Sequence, residues 1–171
     1  MYRNGVEADL VTPFNAFRSE DILFENNYAF GGGRYKFASY QSERILWRRN
    51  VARRDRATVP GEPKGTYSVY TTMGALVVNS IAIDGDQRQF VTSGEPAGEF
   101  TCPTTSGPTR VKFERSIQLN SDHLLGNADY QAANCDGQYT DIVSWDVRPV
   151  GAYVMTRAAS LFDHVTLGNV K

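Results

Sequence analysis

The sequence predicts an all-β domain, an antiparallel meander closing into a barrel or a two-sheet sandwich, preceded by a short helical or extended N-terminal segment. Three observations point there. From about Gly65 to Ser160 the chain alternates between runs rich in Val, Ile, Tyr, Phe and Thr and short turn signals. The signals are of hairpin type: Ile-Asp84-Gly85-Asp86, Leu-Asn120-Ser121-Asp122, Asn-Cys135-Asp136-Gly137 and Arg-Pro149-Val150-Gly151. Composition agrees, with 15 Gly for turns and 9 Tyr and 9 Phe for packed sheet faces.

In order along the chain, residues 1–11 read as extended. Thr12-Pro13 offers an N-cap and a first-turn proline, and Phe14, Ala16, Phe17, Ile22, Leu23, Phe24 and Tyr28 follow, so a helix or two short turns is expected over 13–27. Gly31-Gly32-Gly33 ends it as a hinge, with neither the lysine nor the spacing of a nucleotide loop. The division that follows is an N-terminal arm or helix at 1–33 and one antiparallel β domain at 34–171. Arg34–Tyr40 and Glu43–Val51 are expected to pair as a ribbon with Tyr35, Phe37, Ile45, Trp47 and Val51 on apolar faces and Arg34, Lys36, Arg44 and Arg48 on cationic ones. Residues 53–64 read as a loop. Strands are expected at 66–72, 74–83, 87–92, 98–102, 109–119, 123–131, 138–147 and 151–160, and no internal repeat is legible. Mostly short connections favour pairing of neighbours in order.

The 171 residues suit one domain, and 41% apolar content is enough for a core. Net charge is −1, which gives no global attraction to nucleic acid or membrane. The charge is unevenly spread. Arg34, Lys36, Arg44, Arg48, Arg49, Arg53, Arg54 and Arg56 face only Glu43 and Asp55 within 34–56, a local surplus of six. No secretory signal or apolar span is legible, which reads as cytoplasmic synthesis with reduced cysteines and no membrane partner.

Candidate chemistry is sparse. His123 and His164 each follow an aspartate, but neighbours on a strand point to opposite faces, and two histidines fall short of a catalytic zinc set. Cys102 and Cys135 lack an activating setting and read as packing residues or a disulfide. Asp84-Gly85-Asp86 reads as a turn rather than a calcium loop, and Glu95 and Glu99 as a solvated loop. No catalytic residue, metal or cofactor is assigned.

The sharpest local feature is the arginine segment. Arg34, Lys36, Arg44, Arg48, Arg49, Arg53, Arg54 and Arg56 can grip carboxylate or phosphate, and Trp47 can stack on a base or sugar. The plainer reading pairs these cations with acidic groups of the same chain or a neighbour. Ser42-Glu43-Arg44-Ile45-Leu46-Trp47 with the spaced arginines resembles a stretch in the S-type phycobilin lyases, which are lipocalin-like barrels. That stretch is short, the remaining chain follows another pattern, and no family is assigned from it.

Three roles follow as expectations, the third an enzyme whose catalytic residues are dispersed along the chain. The first is a non-catalytic structural subunit of a larger assembly, virion- or filament-like. It would touch neighbouring subunits through Phe14, Phe17, Phe24 and Tyr28, and an anionic partner, an acidic protein surface or nucleic acid, through the arginine patch. The second is a small-ligand-binding, lipocalin-like β-barrel holding an anion with its arginines.

Overall fold

Strands here are three or four residues long, and most are followed by a corner residue in the left-handed region. A computed structural model describes residues 2–4, 12–31, 35–54, 66–84, 90–93, 111–120, 137–146 and 161–169. After β1 (Tyr2–Asn4), three successive turns supply three strands each. They are β2 (Phe14–Phe17), β3 (Leu23–Glu25) and β4 (Tyr28–Gly31); β5 (Phe37–Tyr40), β6 (Leu46–Arg48) and β7 (Val51–Arg54); and β8 (Tyr67–Tyr70), β9 (Leu76–Val78) and β10 (Ile81–Ile83). Later turns add β11 (Phe90–Ser93), β12 (Val111–Glu114), β13 (Ile117–Leu119), β14 (Gly137–Thr140), β15 (Val143–Trp145), β16 (Leu161–Asp163) and β17 (Thr166–Gly168).

Every strand pairs parallel with its counterpart one turn away. A long sheet runs β1-β4-β7-β10-β13-β15-β17, a six-stranded sheet β16-β14-β12-β9-β6-β3, and a short sheet β11-β8-β5-β2. The result is a β-solenoid with about three full turns. This overturns the antiparallel meander, barrel and sandwich alike. At Asp84 and Asn120 the turn signal does not fold one strand back on the next, since β10 and β11, and β13 and β14, belong to different sheets. Asp84 illustrates the difference: its N–H donates to the Leu119 carbonyl one turn on (3.1 Å), and β11 pairs with β8 rather than with β10.

The expected helix over 13–27 is likewise replaced. Phe14–Phe17 lies in register with Phe37–Tyr40, and Leu23–Glu25 with Leu46–Arg48, so residues 14–31 form a turn of the solenoid rather than an arm. The anticipated ribbon of 34–40 with 43–51 also dissolves, because β5 belongs to the short sheet and β6 to the six-stranded one. The long expected strands 74–83, 109–119 and 138–147 are each broken by a corner, at Asn79, Arg115 and Asp141. The expected strands at 98–102, 123–131 and 151–160 lie outside the described residues.

Corners explain both the breaks and the residue choice. Between the six-stranded and long sheets stand Asn26, Arg49, Asn79, Arg115, Asp141 and His164, with φ between 45° and 57°. Asn and Asp tolerate this region best among residues with a Cβ. At the first four of these corners the next residue, Asn27, Asn50, Ser80 or Ser116, builds a polar ladder, whereas Ile142 and Val165 follow the last two. Asn50 Oδ1 accepts from the Asn27 N–H (2.9 Å) and from Asn27 Nδ2 (3.0 Å), and Asn50 Nδ2 donates to the Phe24 carbonyl (2.9 Å). Ser80 Oγ accepts from the Asn50 N–H (3.3 Å) and Ser116 Oγ from the Ser80 N–H (3.1 Å). Side chains thereby satisfy backbone donors at a bend that leaves the strand ladders.

In-register stacking sets the interior. Phe14, Phe37 and Tyr67 stack at 4.9 and 5.0 Å, and Phe113, Tyr139 and Phe162 at 5.0 and 4.9 Å. Each such pair adds roughly 0.5–1.5 kcal/mol beyond burial. Tyr67 is fully buried, donates to the Asn50 carbonyl (2.9 Å), and has its phenol pushed well above its ordinary range by burial. Among the described residues, side chains fill the space between the sheets, and the parallel coils replace the expected hollow barrel.

Candidate interaction surface

The long sheet inverts the usual arrangement of a surface sheet. Its inward positions carry small or polar residues: Ala29, Ala52, Ala82, Gln118 and Ser144, all fully buried. Its outward positions carry the large apolar ones: Tyr28 and Phe30 on β4, Val51 on β7, Ile81 and Ile83 on β10, Ile117 and Leu119 on β13, and Val143 and Trp145 on β15. Parallel register stacks these into two columns across five consecutive strands, the second interrupted by Arg53 on β7. The neighbours within each column half-bury one another, but Val143 stays 37% and Trp145 51% exposed. The Trp145 ring lies over Gly168, where a Cβ would overlap it. Apolar residues thus form much of the outer side of this sheet.

The arginine segment divides once it is folded. Arg44 is exposed and meets three carboxylates: Asp21 (2.7 Å), Glu20 (2.9 Å) and Glu43 (2.9 Å). Hydrogen bonding to Asp21 and Glu20 pushes the guanidinium pKa up, and the same bond holds the Asp21 carboxyl below its usual range. Arg48 Nε lies 2.5 Å from Glu25 Oε1, and Arg49 bonds the same oxygen. Those two arginines depress the Glu25 pKa, Arg48 most. The in-chain pairing anticipated as the plainer reading is therefore present for Arg44, Arg48 and Arg49. Arg53 stands outward on the long sheet between the Phe30 and Ile83 positions, and Arg54 closes β7. Arg34 and Arg56 lie outside the described residues.

Two members of the expected binding set turn inward. Lys36 is 1% exposed at the corner before β5, and its N–H donates to the Thr66 carbonyl (3.0 Å). Trp47 is 0% exposed in the column with Phe24, so it offers no face to a base or sugar. The expected alternation holds for Trp47 and Arg48 within β6, and Ile45 is also buried, but Arg44 is a left-handed corner residue before β6 and Val51 lies past the next corner and points out. Among the N-terminal aromatics, Phe14 and Phe24 are half-buried against the core, whereas Phe17 and Tyr28 face outward. Phe17 stacks on Tyr40 (5.5 Å), Tyr40 on Tyr70 (4.8 Å), and the Arg18 guanidinium lies 5.3 Å from the Phe17 ring centre. Because these rings stack face on face, the column presents mainly edges rather than open platforms.

His164 sits at a corner with Nδ1 3.4 Å from Asp141 Oδ1 and 3.5 Å from Asp163 Oδ1. Among the described residues, no cluster of three His, Cys, Asp or Glu side chains can hold a metal, and no helix is long and apolar enough to cross a membrane. His123, Cys102, Cys135, Gly85, Asp86, Glu95 and Glu99 lie outside the described residues.

Sequence reading missed the long-sheet face. Its signal is present in Val-Ala-Arg, Ile-Ala-Ile, Ile-Gln-Leu and Val-Ser-Trp, where a small or polar residue is bracketed by larger ones. Bulk usually marks the inward side, so only the paired register shows that here it marks the outside. Comparison with known proteins finds no family model, no curated protein and no solved structure that matches this chain.

Proposed function

We propose that this chain is a non-catalytic structural subunit of a larger protein assembly, virion- or filament-like, and that the outer face of its long sheet docks neighbouring subunits. The observation that carries this reading is the inversion on that sheet, with Ala, Gln and Ser inside and Ile, Leu, Val and Trp outside. Water-facing apolar columns of this extent lower free energy when a partner covers them, by roughly 25 cal/mol per Å² removed from water. A solenoid suits the role because parallel stacking repeats the same surface at each turn and makes a stiff body. The docking surface moves from the N-terminal aromatics to the long sheet; Tyr28 belongs to both.

The test is sedimentation velocity over a concentration series on the native chain and on the Ile83→Asp, Ile117→Asp double variant. Both residues point outward, so circular dichroism should show the same β content in each. The native chain should associate with rising concentration and the variant should remain a monomer. Equal behaviour of the two would remove the long sheet from the contact.

A further inference from the structure

Trp145 and Asp146 stand together at the exit end of β15. The Trp145 indole lies over Gly168 of β17, where any Cβ would overlap its six-membered ring, yet the residue is 51% exposed. One ring face therefore rests on backbone and the other is turned to solvent. The Asp146 N–H donates to the Gly168 carbonyl (3.1 Å), and Asp146 Oδ1 accepts from Asn169 Nδ2 (2.7 Å). Indole and carboxylate are thus held on two consecutive residues of the next coil, as a flat aromatic ring with an anion at its side. The surrounding charge has one sign. Among the described residues of the last two coils, Asp141, Asp146 and Asp163 are carboxylates and no Lys or Arg accompanies them. His164 Nδ1 lies 3.4 Å from Asp141 and 3.5 Å from Asp163, on the corner at the entry end of the strand.

We infer that Trp145 and Asp146 form a binding site for an arginine side chain of a partner protein, with the guanidinium stacked on the indole and bonded to the carboxylate. An indole face attracts a cation more strongly than any other aromatic side chain does. A planar guanidinium can stack on that face and still donate from its edge to a carboxylate, whereas an ammonium is a compact point charge. A neutral sugar could also stack on the ring, but it would gain nothing from the anionic setting. Placing the arginine on a neighbouring subunit rests on the long sheet being a docking face; the site itself does not.

Asp84 is the internal comparison. It is a left-handed corner residue like Asp146 and closes β10, two strand steps away on the same sheet. Its Oδ1 accepts from Asn120 Nδ2 (2.7 Å), just as Asp146 Oδ1 accepts from Asn169. The residue before it is Ile83, however, so this corner offers the carboxylate without the ring. Gly168 makes the second difference, because its lack of a Cβ lets the indole lie flat on the sheet. Only at Asp146 do both halves of the site meet.

The test is an NMR titration of the dilute native chain, at low ionic strength, with N-acetyl-arginine amide and with its neutral isostere N-acetyl-citrulline amide. The Trp145 indole N–H signal should move with a dissociation constant of about 10 mM, the scale of one exposed cation–π contact and one exposed ion pair. The signal of the buried Trp47 should stay still, and the citrulline compound should bind more weakly. Asp146→Asn, which suits the same left-handed corner, should weaken the arginine compound about threefold, and Asp84→Asn should leave it near the native value. A Trp145 signal that does not move, or moves equally with citrulline, overturns the inference. Equal weakening by Asp84→Asn and Asp146→Asn also overturns it, as does a stronger response to the neutral sugar methyl glucoside. Each of these results leaves the sedimentation test of the long sheet untouched, so the two readings fail separately.

Discussion

At the scale of single residues, the fold depends on a small number of side chains that repair the corners. Asn50 is the centre of one such repair, serving the Asn27 N–H and Nδ2 and the Phe24 carbonyl at once. Asn50→Ala should cost about 2–3 kcal/mol, seen as a lower urea midpoint at unchanged slope. Arg115 pays the left-handed penalty (φ 45°) in a column where Asn26 and Asn79 occupy the same conformation more easily. Arg115→Asn should raise stability by about 0.5–1 kcal/mol in the same assay. Glu25 supplies a pH signature. Its folded pKa lies below the ordinary 4.5 because of Arg48 and Arg49. A depressed carboxyl stabilises the fold fully above its unfolded pKa and loses that contribution as pH falls from about 4.5 through the folded value. The acid limb of a stability-against-pH curve should therefore be shallower in Glu25→Gln than in the native chain. These roles were not legible beforehand. Asn27-Tyr28 and Asn50-Val51 carry no hairpin signature, and their bonds run to residues 23 or more positions away.

At the scale of elements, the strand content was readable and the pairing was not. Among the described residues the β-rich stretches do become strands, because Val, Ile, Tyr and Phe favour extended backbone in either topology. Direction is a different matter: Asp84 and Asn120 look like hairpin tips, yet the strands before and after each belong to different sheets. The repeat was hidden for a geometric reason. The spacing from one outward strand residue to the next across the corner is constant, as in Leu46 to Val51, Leu76 to Ile81 and Lys112 to Ile117. Register partners, however, lie 23, 30 and 36 residues apart at successive turns, since the chain between cassettes differs in length. No fixed period exists to be found. The aromatic column should carry much of the stability of the later turns. Tyr139 is fully buried between Phe113 and Phe162. Tyr139→Ala should cost about 3–5 kcal/mol, checked by chemical denaturation, and Tyr139→Phe should cost far less because it keeps the stack.

At the scale of the whole molecule, a solenoid has no single pocket where function must lie; its faces are its functional units. The arginine segment that stood out in the sequence is in part neutralised by Glu20, Asp21, Glu25 and Glu43 once coils stack, because residues far apart in sequence share a corner. The proposed contact surface is formed instead by residues that looked like ordinary strand interior. The chain holds two tryptophans that report on this directly: Trp47 is buried inside the solenoid and Trp145 stands on the proposed contact face. Acrylamide quenching of tryptophan emission, followed over rising protein concentration, reads the fate of that face. Trp145 should be readily quenched in dilute solution and become shielded, with a blue-shifted emission, as the chain associates, while the Trp47 component stays protected throughout. A Trp145 that remains equally quenchable from dilute to concentrated solution would contradict the account.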